Sequence, residues 1–370
     1  MPPTDKYTSD APTHPNVRGV PVRSPTAESK VERELERLRW IACTLASAGC
    51  LMTLGAASQS AHAQRAENYP SKPVRVVVPQ PPGGSTDGIV RLFTPGMSEL
   101  LGQPLVIDNR AGGGVGGIAV QSMVASANPD GYTLLAIVPN FTFTPMLMKD
   151  AQTRSEDFTP VTLLSQDPYL LSIYPGIPAK SVKELVAFAR SRPGFLNMGS
   201  GNIGSGTHMI SMLFLHDAGI QKEVIYVPYR GNALAFTDLM AGRLHAAMSS
   251  IVNAGPHVKA GRLRALGVTS AQRSTAWPDV PTIAEQGLNG FEATGWVGLV
   301  VPIKTPAVVV NKLSAAAGKV SKSPELSNRI KSLGGDAVGS TPAEFRQLIA
   351  REMPRWRALI EELGMARSIQ

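Results

Sequence analysis

The stretch Val74–Asp87, VRVVVPQPPGGSTD, constrains the fold of this chain most strongly. Its first five residues are rich in β-branched side chains and predict a buried strand. A proline-rich turn, the pair Gly83-Gly84 and the start of a helical pattern follow. In such a unit the unpaired N–H groups and the positive end of the helix dipole favour an anion, above all a carboxylate or phosphate. The simpler alternative is that the glycines only make the turn and that Ser85 or Thr86 only caps the helix.

Length and composition set the broad class of the protein. The 370 residues are enough for two domains, and 43% hydrophobic with 17% charged residues is typical of a globular protein. The formal charge of +8 is scattered without a Lys/Arg run, which argues against nucleic-acid binding, while its sign suits an acidic ligand. Cys43 and Cys50 both lie in one apolar N-terminal segment. A mature chain without that segment has no disulfide, no Cys nucleophile and no Cys metal site.

The N-terminal 63 residues predict an extension followed by a secretory signal. Residues 1–30 are rich in Pro, Ser and Thr, which indicates disorder or a translation start further downstream. The charged Arg33–Trp40, the apolar Ile41–Ser58 and the small residues at Ala61-His62-Ala63 predict export to the periplasm with cleavage after Ala63. An uncleaved membrane anchor is the alternative, and the many Ala, Ser, Thr and Gly residues of the apolar run argue against it.

From Tyr69 onward, short apolar strands alternate with amphipathic helices, which predicts an α/β fold with a mostly parallel sheet. Val161–Ser165 and Tyr169–Tyr174 are predicted as two strands separated by Asp167-Pro168. Phe291–Val301 is predicted as one long strand. Helix starts are predicted at a capping box after Ser181, at Thr341-Pro342, and with proline in the first helical position after Thr305 and Ser323.

The glycine-rich segment Gly112–Gly117 matches the G-x-G-x-x-G pattern of dinucleotide-binding proteins. That fold also needs an acidic residue at the end of the next strand, and this strand ends in Val138-Pro139-Asn140. The segment is therefore better explained as an open backbone surface that a ligand or another part of the chain approaches closely. No cofactor is predicted.

The loop Gly199–His208 is a second helix N-terminus, with hydroxyl groups at Ser200, Ser205 and Thr207. Ser200 and His208 are the residue types of a hydrolase nucleophile and base. The sequence has, however, neither a G-x-S-x-G elbow nor an acidic residue to orient the histidine. The six histidines do not show metal-ligand spacing, so no metal site is predicted. Two anion-binding loops without a catalytic set predict a binding protein rather than an enzyme.

Several segments together resemble the Bug family of extracytoplasmic solute receptors, the substrate-binding proteins of tripartite tricarboxylate transporters. The resemblance begins at Tyr69–Arg75 and Pro82–Asp87 and covers Tyr69–Gly364 in order. It continues through Gly102-Gln103-Pro104, Asn109-Arg110, Asn128–Tyr132, Pro178–Val182, Val227–Gly231, Lys259–Leu266 and Pro278–Thr282.

The resemblance implies an α/β, two-lobed periplasmic-binding-protein fold of the second type with a ligand cleft between the lobes. Lobe 1 would comprise residues 64–167 and 295–370, and lobe 2 residues 168–294. The chain would cross between them near Asp167–Leu170 and Ala293–Val297. The ligand is typically a small carboxylate held by N–H groups, hydroxyls and waters. The implied partners are this acid and the membrane permease subunits, with no nucleic acid, and the chain is expected to be a monomer.

Carried onto this chain, the resemblance implies a set of ligand-binding residues. They are Gly83, Gly84, Ser85, Thr86, Asp87 and Asn140 from lobe 1, and Ser200, Gly204, Ser205, Thr207 and His208 from lobe 2. Three departures concern the pocket: Gln80 replaces a usual aromatic residue, Ser249-Ser250 replaces a usual Asp-Asn, and Phe143 and Met146 replace small polar residues. We therefore expect Gln80 and Ser249 to line a pocket altered from the family pattern, and one suited to a more anionic ligand.

The sequence thus predicts an exported receptor for a small organic acid. A ligand sensor that signals to a membrane protein is an alternative that the residues leave open. An exported serine hydrolase using Ser200, or an oxidoreductase using Gly112–Gly117, is a further alternative from a different class.

Overall fold

The computed structural model describes residues 68–111, 117–149, 151–229 and 232–368, without the side chains of 232, 233 and 252. The predicted signal, both cysteines, the glycines at 112–116 and Arg230-Gly231 lie outside the described residues. Arg65–Gln370 forms one compact unit, and the description below concerns this unit.

Strands and helices alternate along the described chain. The strands are β1 (Val74–Val78), β2 (Leu105–Asn109), β3 (Thr133–Ile137), β4 (Phe158–Ile173), β5 (Asn197–Ser200), β6 (Ile225–Pro228), β7 (Ala246–Ser250), β8 (Arg264–Val268), β9 (Thr294–Pro302) and β10 (Asp336–Ala337). The α-helices are α1 (Ser85–Leu101), α2 (Ile118–Ala125), α3 (Asn140–Leu147), α4 (Val182–Ser191), α5 (Gly206–Asp217), α6 (Asn232–Met240), α7 (Ile251–Lys259), α8 (Ala307–Val320), α9 (Pro324–Ser332) and α10 (Pro342–Glu362). Short 3-10 turns lie at Ser155–Asp157 and Ala284–Gln286.

All of these strands belong to one mixed sheet, whose main order is β2-β1-β3-β9-β4-β7-β5-β6. β1 pairs in parallel with β2 and β3, and β5 pairs in parallel with β6 and β7. β9 is antiparallel to β3 and β4, and β4 is antiparallel to β7, β8 and β10. The α/β prediction is confirmed, and two parallel groups are joined by antiparallel strands.

The prediction of two separate strands around Asp167-Pro168 is wrong, because β4 runs without a break for 16 residues. Pro168 is the last residue of β4 that pairs with β9, opposite Thr294, and Tyr169 begins the pairing with β7, opposite Ser250. A proline lacks an N–H donor but keeps an extended backbone. It therefore marks a change of neighbouring strand, and the strand itself continues.

β4 and β9 divide the sheet into two parts. We call β1, β2, β3, β9, β10 and the start of β4 the first half, and the end of β4 with β5–β8 the second half. The chain passes between the halves a second time just before β9, where the N–H of Ala293 donates to the carbonyl of Thr269 at 2.8 Å. The two passages lie at residues 168–169 and 293–294.

Helices cover both faces of each half. In the first half, α1 and α8 pack on one face through residues such as Phe93 and Leu313, while Trp296 and Phe345 pack on the other. In the second half, α4 and α5 cover one face, and α6 and α7 cover the opposite face. Among the described residues, no helix is long and apolar enough to cross a membrane.

The long helix α10 contacts the cores of both halves. Phe345 and Leu348 near its start belong to the first-half core, whereas Trp356, Leu359 and Ile360 belong to the main core of the second half. Phe143 of α3 is fully buried against Trp356, with ring centroids 5.2 Å apart. The expectation that Phe143 alters a ligand pocket is therefore wrong, since this ring fills the core.

Local signals at helix starts mostly hold. Thr341 and Glu344 form the capping box of α10, and Pro324 is the first residue of α9. Ser181 caps α4, but Glu184 accepts from the N–H of Lys180 and so does not complete the box. Pro306 lies one position outside α8, because its ψ of 136° is extended.

Gly298 of β9 tests this packing, because a Cβ there would overlap the ring of Phe345. We expect Gly298→Ala to lower the free energy of unfolding by about 1–3 kcal/mol through overpacking. Gly88→Ala is the control, since a Cβ at that position of α1 meets no atom within 4 Å and alanine favours a helix by about 1 kcal/mol. Urea denaturation measures both changes, and a Gly298→Ala protein as stable as wild type would contradict the close approach of ring and strand.

Candidate functional site

The N-terminus of α1 is open, without a capping side chain. Gly83 has a φ of +83°, a left-handed conformation that glycine adopts readily, and Gly84 is the extended N-cap residue. No side chain among the described residues accepts a hydrogen bond from the first turn, so the caps proposed for Ser85 or Thr86 are not formed. The N–H groups of Ser85 and Thr86 have no partner within the helix. These groups and the helix dipole together form an anion-attracting position.

Asp87 holds the loop that precedes this helix. Its buried carboxylate accepts hydrogen bonds from the N–H of Gly83 at 2.8 Å, from Nε of Arg91 at 2.7 Å and from Nδ2 of Asn109 at 3.0 Å. Burial raises the pKa of Asp87, but these hydrogen bonds and the charge of Arg91 together bring the pKa below its usual value. Asp87 is thus an ionised positioning residue, and the N–H of Gly83 is already bonded to it.

Thr86 reaches a cavity of about 260 Å³ beside the loop. The cavity brings together three predicted site residues, Gln80, Thr86 and Asn140, from distant parts of the chain. Thr86 is 1% exposed, and its hydroxyl is buried without a hydrogen-bond partner among the described residues. Because unpaired buried hydroxyls are rare and costly, this group points to a ligand or a bound water.

Gln121 of α2 also lines this cavity, and the sequence interpretation did not include it. It is 3% exposed, on a helix whose other buried side chains are Val120 and Val124. In the sequence, Gln121 could have been recognised as a single amide on the buried face of an otherwise apolar helix. Gly117, the last residue of the glycine-rich segment, lines the cavity as well.

The remaining residues of the first loop lie around this position. Ser85 is exposed and does not line the cavity. Gly84 is half-buried, and a Cβ on it would lie 3.0 Å from Oε1 of Gln80 and 3.3 Å from the carbonyl of Pro81. A side chain at 84 would therefore crowd the loop.

The loop before α5 is closed by its own hydrogen bonds. Ser205 caps α5 by accepting from the N–H of His208 at 3.2 Å, and Thr207 accepts from the N–H of Gly201 at 3.2 Å. Gly204, with a φ of +78°, donates its N–H to Nδ1 of His208 at 3.1 Å. These side chains therefore stabilise the loop itself, in contrast to the open start of α1.

Ser200 and His208 do not form a nucleophile–base pair. The Ser200 hydroxyl forms a short hydrogen bond with the hydroxyl of Tyr226. Nδ1 of His208 accepts from Gly204, so the neutral ring carries its proton on Nε2. Burial lowers the pKa of His208 to about 4, and the ring is neutral at pH 7.

Ser249 lies inside the core of the second half. It is 0% exposed, and its hydroxyl has no partner in the part of the chain that the structure describes. It shares a strand face with Ala247, which packs with Leu170 and Phe236. Strand alternation turns this side chain inward. The expectation that Ser249 lines a pocket stays a prediction.

The point where β4 changes neighbours carries polar groups that the sequence interpretation did not assign. Burial raises the pKa of Asp167 to about 6 and that of Glu352 to about 7, and Trp296 donates its indole N–H to Glu352 at 3.2 Å. The Tyr169 hydroxyl lies 3.1 Å from where a Cβ of Gly206 would be. Tyr169 therefore connects the crossing to the start of α5.

The cavity at Thr86 is lined by the first loop, α2, β3 and α3, and none of the described residues that line it belongs to the loop before α5. Across all described residues, no group of three or more His, Asp or Glu side chains could hold a metal ion. The arrangement that the described residues do form is a small polar cavity at an open helix N-terminus, which is suited to binding an anion.

The depressed pKa of His208 predicts how stability depends on pH. The unfolded state, with a histidine pKa near 6.5, binds more protons than the folded state between pH 6.5 and 4. We expect the advantage of wild type over His208→Asn to shrink as the pH falls through this window, by up to about 1.4 kcal/mol per pH unit. Urea denaturation of both proteins across the pH range measures the difference, and this comparison removes the opposite contributions of Asp167 and Glu352.

His216 is the control for this experiment. Hydrogen bonds and ion pairs with Asp217 and Glu362 raise its pKa. The advantage of wild type over His216→Asn should therefore be fully present below pH 6.5 and disappear as the pH rises above it. A flat difference for His208→Asn would show that the ring is not buried in the neutral form.

Proteins of similar sequence and structure point to one family. Residues 89–365 match the model of the tripartite tricarboxylate transporter family receptor, TctC. The chain is 38% identical over 316 residues to a UPF0065 protein of Pseudomonas sp. strain P51, which covers 84% of this chain and 92% of the relative. The structure is similar to that of R. palustris Rpa4515 with adipate, at a TM-score of 0.70 and 33% identity, covering 80% of this chain and 99% of the other.

It is also similar to the periplasmic binding protein BugD, at a TM-score of 0.67 and 29% identity, covering 80% of this chain and 99% of BugD. The resemblance seen in the sequence is confirmed, and with it the periplasmic-binding-protein type of fold. The chain belongs to the tripartite tricarboxylate transporter receptor family, a family of periplasmic solute-binding receptors.

Proposed function

We propose that this protein captures a small organic carboxylate in the periplasm and delivers it to the membrane subunits of a tripartite tricarboxylate-type transporter, without catalysis. The buried hydroxyl of Thr86, which has no partner among the described residues, carries this proposal, because it lines a cavity at the N-terminus of α1. A ligand oxygen there satisfies a hydroxyl that otherwise lacks a partner.

A carboxylate matches the groups that surround this cavity. Its oxygens accept from the Thr86 hydroxyl and from first-turn N–H groups, and the helix dipole favours the negative charge. The amides of Gln80 and Asn140 bind the remaining polar atoms. At about 260 Å³, the cavity is near the lower end of small-molecule sites, so it suits a compact acid or one end of a longer one.

The comparisons support the same ligand class. Rpa4515, one third identical to this chain over most of its length, is the structure that contains adipate. Adipate carries a carboxylate at each end, and one such end fits the chemistry at Thr86.

We propose the boundaries of the two lobes from the two places where the chain passes between the halves of the sheet. We assign residues 64–167 and 295–370 to lobe 1 and residues 168–294 to lobe 2, with the hinge at 168–169 and 293–294. The C-terminal half of α10 is an exception to this division. It belongs to lobe 1 by its place in the sequence, but its Trp356 and Leu359 pack in the second-half core. Closure about the hinge would bring Ser200, Gly204, Ser205, Thr207 and His208 to the far side of the ligand.

An enzymatic role has weaker support. Ser200 is bonded to Tyr226, and His208 faces the N–H of Gly204, so the hydrolase alternative lacks its central contact. Export with cleavage after Ala63 remains part of the proposal, since that segment lies outside the described residues.

A thermal-shift screen tests the ligand class. We expect mono- and dicarboxylates to raise the unfolding temperature of the purified protein, while the matching amides do not. A screen in which only neutral compounds raise the temperature would contradict the carboxylate proposal and leave the family assignment intact.

The hydroxyl of Thr86 allows a test in which stability and binding change in opposite directions. Thr86→Val keeps the shape and removes the unpaired hydroxyl, so the free energy of unfolding should stay equal or rise by about 1 kcal/mol. Binding of the best acid from the screen should weaken by about tenfold, because a hydrogen bond to a charged group is lost. Denaturation and titration calorimetry measure the two effects.

Thr144→Val is the matched control. Thr144 is also fully buried with an unpartnered hydroxyl among the described residues, but it does not line the cavity. It should gain similar stability with unchanged affinity. Unchanged affinity in both variants would remove Thr86 from the site.

Asp87 gives an independent test of the loop. Asp87→Ala frees the N–H of Gly83 and leaves Arg91 and Asn109 without their shared acceptor, so we expect a folded protein with at least about tenfold weaker binding. Asp108→Ala is the control, because that carboxylate pairs with Arg75 and Arg110 outside the cavity. Equal affinity of the two variants, measured by calorimetry, would contradict a positioning role for Asp87.

A further inference from the structure

A second cavity of about 260 Å³ lies at the other end of α3. Its wall is formed by α3, the turn before β4, the middle of α10 and the chain after α10. Four cationic side chains line it, Lys149, Arg154, Arg357 and Arg367, together with one carboxylate, Glu156. We call this set the basic surface.

The cations of the basic surface are exposed and unpaired. None of the four forms an ion pair with another described residue, whereas Arg75, Arg91, Arg243 and Arg273 elsewhere do. The neighbouring Asp157 accepts from the backbone N–H of Arg154 and is engaged in the turn. Among the described residues that line this cavity, four cations therefore face one carboxylate, which leaves a positive surface.

The wall between these charges is made partly of three methionine side chains, at 146, 148 and 353. Methionine and arginine are enriched where proteins contact other proteins, because methionine adapts its shape and arginine forms several hydrogen bonds. A small inorganic anion would use the charges alone. The mixture of soft apolar wall and cationic rim favours a peptide segment that carries both acidic and apolar groups.

The basic surface is connected to the ligand cavity through α3. Phe141 lines the ligand cavity, and the next residue, Thr142, lines the cavity that contains the basic surface. Met353 and Arg357 lie on α10, the helix that contacts both halves. A partner bound here would touch both the helix next to the ligand and the helix that joins the halves.

We propose that the basic surface docks an acidic segment of a protein partner. This inference goes beyond the proposed function, because it does not depend on which acid the ligand cavity holds. The four cations attract and orient the acidic segment, and the methionine side chains bury its apolar residues.

The test compares two charge-reversal variants of the full protein. Arg154→Glu with Arg357→Glu reverses two cations of the basic surface. Lys222→Glu with Arg346→Glu reverses two exposed, unpaired cations outside it, one of them also on α10. Both variants make the same change in net charge, so a general effect of charge is equal in the two.

The probe is a fluorescent oligoglutamate peptide, and binding is followed by fluorescence anisotropy at low and physiological salt. We expect roughly tenfold weaker binding for the Arg154 and Arg357 variant and less than about twofold for the control. The thermal midpoint of each variant and its shift with adipate should match wild type, which shows that the fold and the ligand site are retained.

Three results would overturn the proposal. An equal loss of peptide binding in both variants would show that binding depends only on the net charge of the protein. Binding to phosphatidylglycerol vesicles that depends on Arg154 and Arg357, without peptide binding, would assign the surface to a membrane. Saturable binding of inorganic phosphate at these residues, again without peptide binding, would assign it to a small anion.

Discussion

The antiparallel pairing of β4 with β9 is the constraint on which the rest of this structure depends. The paired stretch runs from Phe158 opposite Pro302 to Pro168 opposite Thr294. It carries the chain from one parallel group of strands to the other, and each group then builds its own helices and core. Because β4 changes its partner at a proline, the end of one ladder coincides with the place where the two halves meet. A hinge at this point requires no break in the strand.

Two helix N-termini of similar sequence character have different structures. The start of α5 has serine, threonine and histidine side chains that satisfy the loop internally. The N-cap of α1 is Gly84, which has no side chain to accept a hydrogen bond. Asp87 stabilises the preceding loop by accepting from the N–H of Gly83. The hydroxyl that remains unsatisfied, that of Thr86, is therefore on the α1 side.

The placement of α10 links these features. Its apolar side chains pack in the cores of both halves and so join them. Glu352, in the middle of α10, accepts from the indole of Trp296 on β9, so the helix is also joined to the crossing by hydrogen bonds. Arg357 of the basic surface lies on the same helix. A partner there would contact an element whose position depends on the arrangement of both halves.

The sequence by itself predicted the local structure of several segments. The β-branched run at Val74–Val78, the glycine pair after it and the caps at Ser181 and Thr341 depend on neighbouring residues only, and the structure forms each of them where predicted. The tertiary structure decided which side chains meet. It brought Gln80, Thr86, Gln121 and Asn140 to one cavity, turned Phe143 and Ser249 into the core, and continued β4 through Pro168. The reason is physical, because burial and hydrogen-bond partners depend on the packing of distant segments, whereas caps and strand propensity depend on the local chain alone.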